Sequence, residues 1–408
     1  MRMDKKVIFL GPLFPASQEG RIKSIAKRRP SAAPNVFQCS LLSGLSEQLG
    51  ARLSVVNVLP VGTWPRGARA LIMRGGDWKD GNISGHEVGC VNLPFVKQYT
   101  RAAGLKRYLK KVVQPGAEIV MYSLYMPFMK AVCGLKDVKV TAIVTDLPEY
   151  YDLQKTSALH RALRGAQNKL IYKLMGRIDR FVVLTEQMKE RLGVGERPCM
   201  RMEGLFNESV APEADEVDAK AVLYTGTLNY RYGIKNLLDA FALLDDKDAK
   251  LWICGGGEAA AEIAERAKAD ERIKFFGFCS QEEVARLRAA AGILVNPRTN
   301  EGEYTKYSFP SKTMEYMASG KPVVMYKLDG VPAEYDEFLN YADGANAVQG
   351  LKDALEKVMT DGSSAAKERA MRAREFVLKN KNSNYQAQRL IRFLCEAKAK
   401  NNRGFYED

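Results

Sequence analysis

The residues best suited to chemistry lie in one segment, 296-NPRTNEGEYTKYSFPSKTMEYMASGKPVV-324. Its pattern predicts a strand, a polar loop and a helix over 310–319, with Pro310 at the first helical position. The start of a helix offers unpaired N–H groups, which suit a phosphate. The loop and the helix add two hydroxyls, an ammonium and a carboxylate: Ser308, Ser311, Lys312 and Glu315. Because Glu315 could accept hydrogen bonds from ribose hydroxyls, the segment predicts a nucleotide site.

A second segment, 224-YTGTLNYRYGIKNLLDAF-241, predicts a strand, a glycine turn, a loop and a helix. Arg231 lies in the loop, and a guanidinium can bind a diphosphate through two parallel hydrogen bonds. Arg298, in the first segment, is the second candidate for this role. The alternative for both side chains is an ordinary solvated arginine on a loop.

The segment 296–324 resembles the donor-site signature of retaining nucleotide-sugar glycosyltransferases of family 4, which adopt the GT-B fold. That signature is a Glu, seven residues, a second Glu, Ala or Met, a small residue, Gly, Pro and two Val. The run 308-SFPSK-312 resembles, more narrowly, a branch active in bacterial capsule, O-antigen and exopolysaccharide assembly. The resemblance extends over the C-terminal half and, more loosely, the N-terminal half. The matching residues of the signature are Glu315, Met317, Ala318, Gly320, Pro322, Val323 and Val324.

One departure from the family's signature concerns the first Glu, which in the family contacts sugar hydroxyls. The corresponding residue here is Tyr307. Either the phenol of Tyr307 takes over this contact, or Glu301 or Glu303 reaches in from the loop. The sequence leaves this choice open.

The other departure concerns the donor diphosphate, which the family contacts with an Arg directly after a glycine and a Lys five residues later. After Gly226, those positions hold Thr227 and Tyr232. Arg231 is one residue away from the second position. The resemblance therefore implies that Gly226 and Thr227 border the donor and that Arg231 replaces the missing phosphate contacts.

Two further turns of the C-terminal half match the family. The run Gly255–Glu258 follows a strand and opens a helix, as the family's glycine-rich turn does, although many strand-to-helix turns look alike. Phe276, Gly277 and Phe278 end the next strand and resemble the place where the nucleobase rests. The alternative for these aromatic rings is a place in the core.

The N-terminal half contributes two candidates. In 9-FLGPLFP-15, Gly11 would permit close approach of the backbone to donor and acceptor. In 145-TDLPEYYD-152, which resembles a loop of the same branch, Asp146 could orient the acceptor hydroxyl. The alternative for Asp146 is an aspartate that shapes a turn at the end of a strand.

The elements that must position these residues alternate between strand and helix, which is typical of parallel sheets covered by helices. In the N-terminal half the predicted strands are 6–11, 52–58, 118–124, 139–145 and 180–185, and the helices are 34–50, 99–113 and 159–176. In the C-terminal half the predicted strands are 220–226, 250–256, 272–278, 292–298 and 321–326, and the helices are 233–244, 258–269, 281–291 and 310–319.

This alternation predicts an α/β protein of two doubly wound, Rossmann-like domains that face each other across a cleft, as in GT-B. The acidic, polar stretch 206–218 is the predicted linker. We expect an acceptor-side domain over 1–206 and a donor-binding domain over 214–383. A final amphipathic helix within 384–408 is expected to return to the first domain.

Composition narrows the class of protein. The chain has 408 residues with 46% hydrophobic and 27% charged residues, which is typical of globular domains. Its seven scattered cysteines form no CxxC pair, which favours a reducing cytosol. No signal peptide or membrane span is predicted, because the apolar run 117–135 contains Glu118, Pro127 and Lys130.

Charge is unevenly distributed. The net charge is +14, and residues 1–200 carry +17 whereas residues 201–408 carry −3. The helix predicted at 99–113 is basic and amphipathic, which favours contact with an anionic membrane, although it could be an ordinary domain helix with a basic outer face. Such a surface would suit a polyprenyl-diphosphate-linked acceptor, as similar enzymes use.

The predicted function is therefore retaining transfer of a sugar from a nucleoside diphosphate sugar, with UDP preferred over GDP, to a glycan or lipid-linked acceptor in cell-surface polysaccharide biosynthesis. Arg231, Lys312, Asp146 and Tyr307 are the predicted catalytic residues. No cofactor or metal is expected, because the DxD-like string 246–248 lies in a charged turn away from the donor motif. The expected location is the cytoplasm, with peripheral contact at the inner membrane face.

Two alternatives remain at the level of sequence. A GT-B nucleotide-sugar 2-epimerase would need no acceptor. A basic nucleic-acid-binding protein would explain the charge, but the chain lacks a recognisable reader motif, so no nucleic acid is expected. A dinucleotide oxidoreductase is disfavoured because no GxGxxG follows a strand.

Overall fold

The computed structural model describes residues 3–28, 30–150, 158–206 and 216–396, without the side chains of 158–162. The chain forms two compact units. Unit 1 contains Met1–Leu205 and Ser383–Asp408, and unit 2 contains Phe206–Asn382. Both units are α/β with mainly parallel sheets, which confirms the predicted fold class.

Unit 1 is built on an eight-stranded sheet of order β10-β9-β8-β7-β1-β2-β5-β4, in which only β4 is antiparallel to its neighbour. A separate two-stranded ribbon pairs β3 with β6. The strands are β1 Val7–Gly11, β2 Leu53–Asn57, β3 Ile72–Met73, β4 Gly76–Asp80, β5 Ile83–Glu87, β6 Cys90–Val91, β7 Glu118–Tyr122, β8 Lys139–Val144, β9 Arg180–Val183 and β10 Cys199–Arg201.

Helices cover this sheet and bury its apolar strands. Every residue of β1 and β7 is buried, as expected for central strands of a parallel sheet with both faces covered. Glu118, at the start of β7, is held in this core by Arg180, whose Nη1 lies 2.7 Å from the carboxylate. The helices are α1 Glu19–Ile25, α2 Ala32–Leu49, α3 Val96–Val112, α4 Met126–Val132, α5 Ala158–Leu174 and α6 Glu186–Arg191.

Unit 2 is built on a six-stranded, fully parallel sheet of order β13-β12-β11-β14-β15-β16. Its strands are β11 Asp218–Thr227, β12 Lys250–Gly256, β13 Ile273–Gly277, β14 Ala291–Asn296, β15 Val323–Tyr326 and β16 Asn340–Ala342. Its helices are α7 Ile234–Ala242, α8 Ala260–Ala269, α9 Gln281–Ala290, α10 Lys312–Met317, α11 Ala347–Thr360 and α12 Ser364–Asn380. The order places the carboxyl ends of β11 and β14 side by side at the centre of the sheet.

The last helix, α13 Ser383–Glu396, belongs to unit 1. Its buried residues Leu390, Phe393 and Leu394 share one core with Leu41 and Leu45 of α2 and with strand β1. A glycine permits the close approach of the two helices, because a Cβ on Gly44 would lie 2.3 Å from the Ser383 carbonyl oxygen. The amphipathic pattern of this segment therefore reflects packing within unit 1.

The basic helix predicted at 99–113 begins earlier, at Val96, and its apolar face is not free. Leu105 and Leu109 are fully buried in unit 1. Lys106, Arg107 and the other late basic residues point to solvent. The helix therefore cannot lay its apolar face on a membrane, and membrane contact through its exposed basic face stays a prediction.

Candidate functional site

The candidate site of unit 2 begins where its central strands end, since loops at the carboxyl ends of parallel strands form the binding edge of such sheets. The ends of β11 and β12 pack backbone against backbone: a Cβ on Gly255 would lie 1.8 Å from the Gly226 carbonyl oxygen. A Cβ on Gly233 would lie 1.7 Å from the Pro297 carbonyl oxygen, after β14. These glycines permit chain-distant backbone segments to meet at one edge of the sheet.

Lys312 lies directly against this edge. A Cβ on Gly226 would lie 2.9 Å from Cε of Lys312, so the lysine stem crosses the end of β11. The helix α10 begins at Lys312, with Ser311 as its exposed N-cap, and it has only six residues. The predicted helix over 310–319 with Pro310 in its first turn is therefore wrong in extent. The positive charge beside Gly226 therefore comes mainly from the ammonium group of Lys312 rather than from the dipole of a long helix.

Arg298 follows β14 and is 8% exposed. Its Nη2 donates to Oγ of Ser308 at 2.7 Å, and its guanidinium carbon lies 5.0 Å from the ring centroid of Tyr304. Its Nε has no partner among the described residues. Burial lowers the pKa of Arg298 from its ordinary value, yet a guanidinium stays protonated. The alternative of a solvated loop arginine is wrong for Arg298.

Arg231 is exposed in the short 3-10 turn Tyr230–Tyr232. Its guanidinium carbon lies 5.3 Å from the ring centroid of Tyr232, and that of Arg298 lies 5.8 Å from the same centroid. The Tyr304 hydroxyl donates to the Arg231 carbonyl at 3.5 Å. Two guanidinium groups therefore share one tyrosine ring at the junction of the β11 and β14 loops.

Glu315, in α10, is half-exposed and paired. Its Oε2 lies 3.3 Å from Nη1 of Arg288, a largely buried side chain of α9. Sequence reasoning missed Arg288, because it lies 27 positions away along the chain and no local pattern marks it. This pair limits the rotamers of Glu315 and orients its carboxylate, which suits a hydrogen-bond acceptor.

The three candidates for the missing first Glu lie together on the loop after β14. Glu301 and Glu303 are exposed, and Tyr307 is partly buried. A short 3-10 helix, Glu303–Tyr307, fixes this loop, and the buried Thr305 hydroxyl donates to the Gly302 carbonyl at 2.8 Å. Which of the three contacts a sugar stays a prediction.

The end of β13 presents an aromatic surface. Gly277 has a φ of +66°, and Phe278, which follows it, is 91% exposed. A Cβ on Gly256 would lie 3.8 Å from the Phe278 ring, so this ring borders the glycine turn of β12. Phe278 is therefore not a core residue, and a flat exposed ring of this kind can stack on a base.

In unit 1, the carboxyl ends of the strands hold the other two candidates. Gly11 ends β1, and a Cβ there would lie 2.2 Å from Oε1 of the buried Gln38. Asp146 follows β8 and accepts a hydrogen bond from Thr145 at 3.2 Å. Desolvation by the surrounding protein atoms raises the pKa of the Asp146 carboxyl above its ordinary value. The hydrogen bond from Thr145 opposes this shift. Part of the residue still reaches solvent. Residues 151 and 152 of the predicted loop lie outside the described residues.

No cluster of three or more His, Cys, Asp or Glu side chains that could hold a metal ion occurs within the described ranges. The carboxylates of Asp246 and Asp248 instead contact Nζ of Lys220 at 2.8 and 3.3 Å. In the same ranges, no helix is long and apolar enough to cross a bilayer.

Comparison with known families bears on this site. Residues 219–361, about a third of the chain, match the family model of glycosyl transferases group 1. These residues are similar to a glycosyltransferase domain. The matched segment contains every candidate residue of unit 2, from Gly226 to Glu315.

Curated relatives match this chain over a similarly short segment. An uncharacterised glycosyltransferase of Methanocaldococcus jannaschii is 28% identical over 130 residues, which is 31% of each chain. D-inositol 3-phosphate glycosyltransferase of Corynebacterium efficiens is 32% identical over 130 residues, or 29% of each chain. The matches thus span about a third of these relatives.

Solved structures match over nearly the whole chain at low identity. Sucrose-phosphate synthase from Thermosynechococcus elongatus has a TM-score of 0.65 and 18% identity, covering 96% of this chain and 100% of that one. HepE of Anabaena, solved in complex with UDP, has a TM-score of 0.62 and 14% identity over 96% and 100% of the two chains. These likenesses give the fold, which is GT-B.

Proposed function

We propose that the protein transfers a sugar, with retention of anomeric configuration, from a UDP-sugar to a glycan or lipid-linked acceptor in cell-surface polysaccharide assembly. The observation that carries this proposal is the convergence of positive charge at the carboxyl edge of the unit 2 sheet. Lys312 lies across Gly226, and Arg231 and Arg298 share the ring of Tyr232. Such an edge can stabilise a leaving diphosphate as its charge grows in the transition state.

The nucleoside would use the neighbouring groups. Phe278 supplies an exposed ring for the base, and Glu315, held by Arg288, supplies an acceptor for the ribose hydroxyls. The preference for uridine draws support from HepE, a protein of similar fold that was solved with UDP.

The reaction breaks the bond between the sugar C1 and the diphosphate oxygen and forms a bond from C1 to the acceptor oxygen. Retention follows from the resemblance of the 308–324 motif to a retaining family, in which no protein nucleophile is expected and the leaving phosphate oxygen takes the acceptor proton. Asp146 would orient the acceptor hydroxyl, and Tyr307, Glu301 or Glu303 would contact sugar hydroxyls.

We also propose that the acceptor is carried on a lipid diphosphate and is used at the cytoplasmic face of a membrane. The support is electrostatic: the N-terminal half carries the excess of positive charge, and eight Lys and Arg within 58–113 point to solvent. Basic surfaces attract both anionic lipids and diphosphates.

A thermal-shift titration against UDP, GDP, ADP, CMP and NAD tests the donor assignment, because a ligand that binds only the folded state raises the melting temperature. We expect UDP to stabilise the protein, and Glu315→Ala and Lys312→Ala to weaken that stabilisation. Lys367→Ala, an exposed lysine on α12, is the matched control and should respond as the parent does.

A transfer assay with UDP-sugars and lipid-diphosphate acceptors then distinguishes glycosyl transfer from epimerisation. We expect Lys312→Ala and Arg298→Ala each to lower kcat by roughly a hundredfold or more, as for the loss of one donor that stabilises developing charge. If both variants turn over substrate as fast as the parent, Lys312 and Arg298 do not stabilise the leaving diphosphate. An isomerised UDP-sugar formed without acceptor would favour the epimerase alternative.

A further inference from the structure

Large apolar side chains are exposed unevenly over the described residues. Fifteen of them are exposed, and six of these lie in the short stretches 64–72 and 95–99 of unit 1. Phe95 is 73% exposed, and Ile72 and Tyr99 are each 66% exposed. We call this set the apolar patch; its members are Trp64, Leu71, Ile72, Phe95, Val96 and Tyr99.

Backbone contacts bring these stretches together around strand β6. Ile72 pairs with Val91 across the ribbon, and the Val91 N–H donates to Oγ1 of Thr100 in α3 at 3.3 Å. The Trp64 N–H donates to the Asn92 carbonyl at 2.8 Å. The ribbon, the first turns of α3 and the loop at Trp64 therefore form one continuous surface.

Phe95 is held outward in an unfavourable backbone conformation. It has a φ of +62° directly before α3, a backbone conformation that L side chains rarely adopt and that is strained. The ring gains no burial in return, since it is largely exposed. A strained position that presents an aromatic ring to solvent points to a role outside the folded unit.

The patch rests on a rigid base of buried polar side chains. Arg101 donates to the Leu59 carbonyl, and Lys97 donates to the Val61 carbonyl. Nδ2 of Asn92 donates to the carbonyls of Gly62 and Ala70, both at 3.1 Å. These bonds fix the loop that carries Trp64 and Leu71 against α3, so the exposed side chains have a set position.

The charge around the patch has one sign. The stretches 58–76 and 88–113 contain nine Lys and Arg and no Asp or Glu. Lys97 and Arg101 are buried, and the other seven are exposed. Nζ of Lys130 also lies 4.6 Å from the ring centroid of Tyr99. The segments that carry the apolar patch therefore bear only positive charge.

We propose that the apolar patch inserts into the interfacial layer of a membrane that contains anionic lipids. Trp, Tyr and Phe rings beside aliphatic side chains suit the headgroup region, and Lys and Arg add attraction to anionic lipids. A second copy of the chain is a poorer occupant, because a self-complementary contact would set like charges against each other.

This inference deepens the proposed use of a lipid-linked acceptor and rests on it for its biological meaning. The patch lies near the carboxyl edge of the unit 1 sheet: Arg101 bonds the Leu59 carbonyl after β2 and the Tyr125 hydroxyl after β7, at 2.9 Å. Asp146 follows β8 at the same edge. An acceptor anchored in the membrane would thus approach the edge that carries the proposed acceptor-orienting carboxylate.

Co-sedimentation of the full chain with vesicles tests the proposal. The vesicles are phosphatidylcholine alone or an equal mixture with phosphatidylglycerol, at low and high salt. We expect the protein to bind the mixed vesicles, and binding to weaken with salt. The triple variant Trp64→Ser, Phe95→Ser and Tyr99→Ser should lose roughly tenfold or more in partitioning, because it removes three large apolar side chains whose burial in the membrane interface is favourable.

Two further variants keep the test decisive. Leu243→Ser with Met371→Ser removes exposed apolar side chains of unit 2 and should bind vesicles as the parent does. Phe95→Gly removes the ring and relieves the positive φ, so it should bind more weakly while melting no lower than the parent.

Three results would overturn the proposal: no preference for anionic vesicles, equal binding by the triple variant, or a dimer in sedimentation velocity that the triple variant abolishes. The proposed transferase function is tested separately, by the stabilisation that UDP gives in the thermal-shift titration, so failure of one proposal can be distinguished from failure of the other. We expect the patch variants to keep that stabilisation and Glu315→Ala to keep vesicle binding.

Discussion

At the scale of single residues, the candidate donor site depends on pairs that no local pattern reveals. The motif predicts Glu315, and in the structure Arg288 of α9 lies 3.3 Å from its carboxylate. The sequence places Arg298 on a loop, and in the structure its side chain is buried and hydrogen-bonded to Ser308. Motif spacing identifies the residue types of the candidate donor site. The burial of Arg298 and the pairing of Glu315 with Arg288 depend on how segments distant in the chain pack together, which no local pattern encodes.

The buried Lys97 gives a testable pH dependence. Burial, with a smaller contribution from nearby Arg101, lowers its pKa to about 7, and Cys90 of β6 acts in the opposite direction. Between about pH 7 and the ordinary pKa of lysine, the unfolded chain binds a proton that the folded chain has lost. The unfolding free energy contributed by Lys97 therefore rises with pH, by at most about 1.4 kcal/mol per pH unit. Below pH 7 both states are protonated and this slope disappears.

The measurement is denaturant unfolding from pH 6 to pH 9 for the parent, Lys97→Met and the exposed control Lys106→Met. The difference between parent and Lys97→Met should grow in favour of the parent as the pH rises above 7. Lys106→Met should run parallel to the parent throughout. A constant difference between Lys97→Met and the parent would show that Lys97 keeps its proton in the folded chain.

At the scale of elements, the sequence predicted those strands and helices whose apolar periodicity is strong. It missed the strands β3 to β6, β10 and β16, and it missed the helices α1, α6, α11 and α12. The hairpin strands Gly76–Asp80 and Ile83–Glu87 are mostly polar and, apart from the buried Glu87, exposed or half-buried, so they show no apolar alternation. They exist because they pair with each other and with β2, which is a non-local interaction. The short α10 was overpredicted because the Pro310–Ser311 turn resembles a helix start.

One element-scale prediction concerns the contact of α2 with α13. Gly44→Ala would place a methyl group against the backbone of Ser383, whose carbonyl oxygen lies 2.3 Å from the required position. We expect a loss of about 1–3 kcal/mol in unfolding free energy, as for overpacking in a core. Gly20→Ala, in helix α1 with no atom within 4 Å of its new methyl, is the matched control. It should be neutral or stabilising, because alanine is the better helix former.

At the scale of the whole molecule, the two-unit α/β fold was predictable because strand–helix alternation fixes parallel sheets with few topologies. The charge asymmetry was also visible in the sequence. The sequence did not reveal which apolar side chains of this region face solvent. The apolar side of α3 packs in the core of unit 1. The exposed apolar side chains come instead from the first turn of α3 and from the β3–β6 ribbon, whose sequence has no strong pattern. Periodicity reports that a helix has an apolar side but not what covers it.

The last whole-molecule prediction tests which unit the C-terminal helix stabilises. Phe393 is fully buried with α2 and β1, so Phe393→Ala should cost about 3–5 kcal/mol. Because α13 belongs to unit 1, hydrogen exchange should accelerate in the amides of β1 and β7 and stay unchanged in those of β11 and β14. Arg392→Ala, exposed on the same helix, should change neither set. Acceleration confined to unit 2, or equal in both units, would mean that α13 is not part of the unit 1 core.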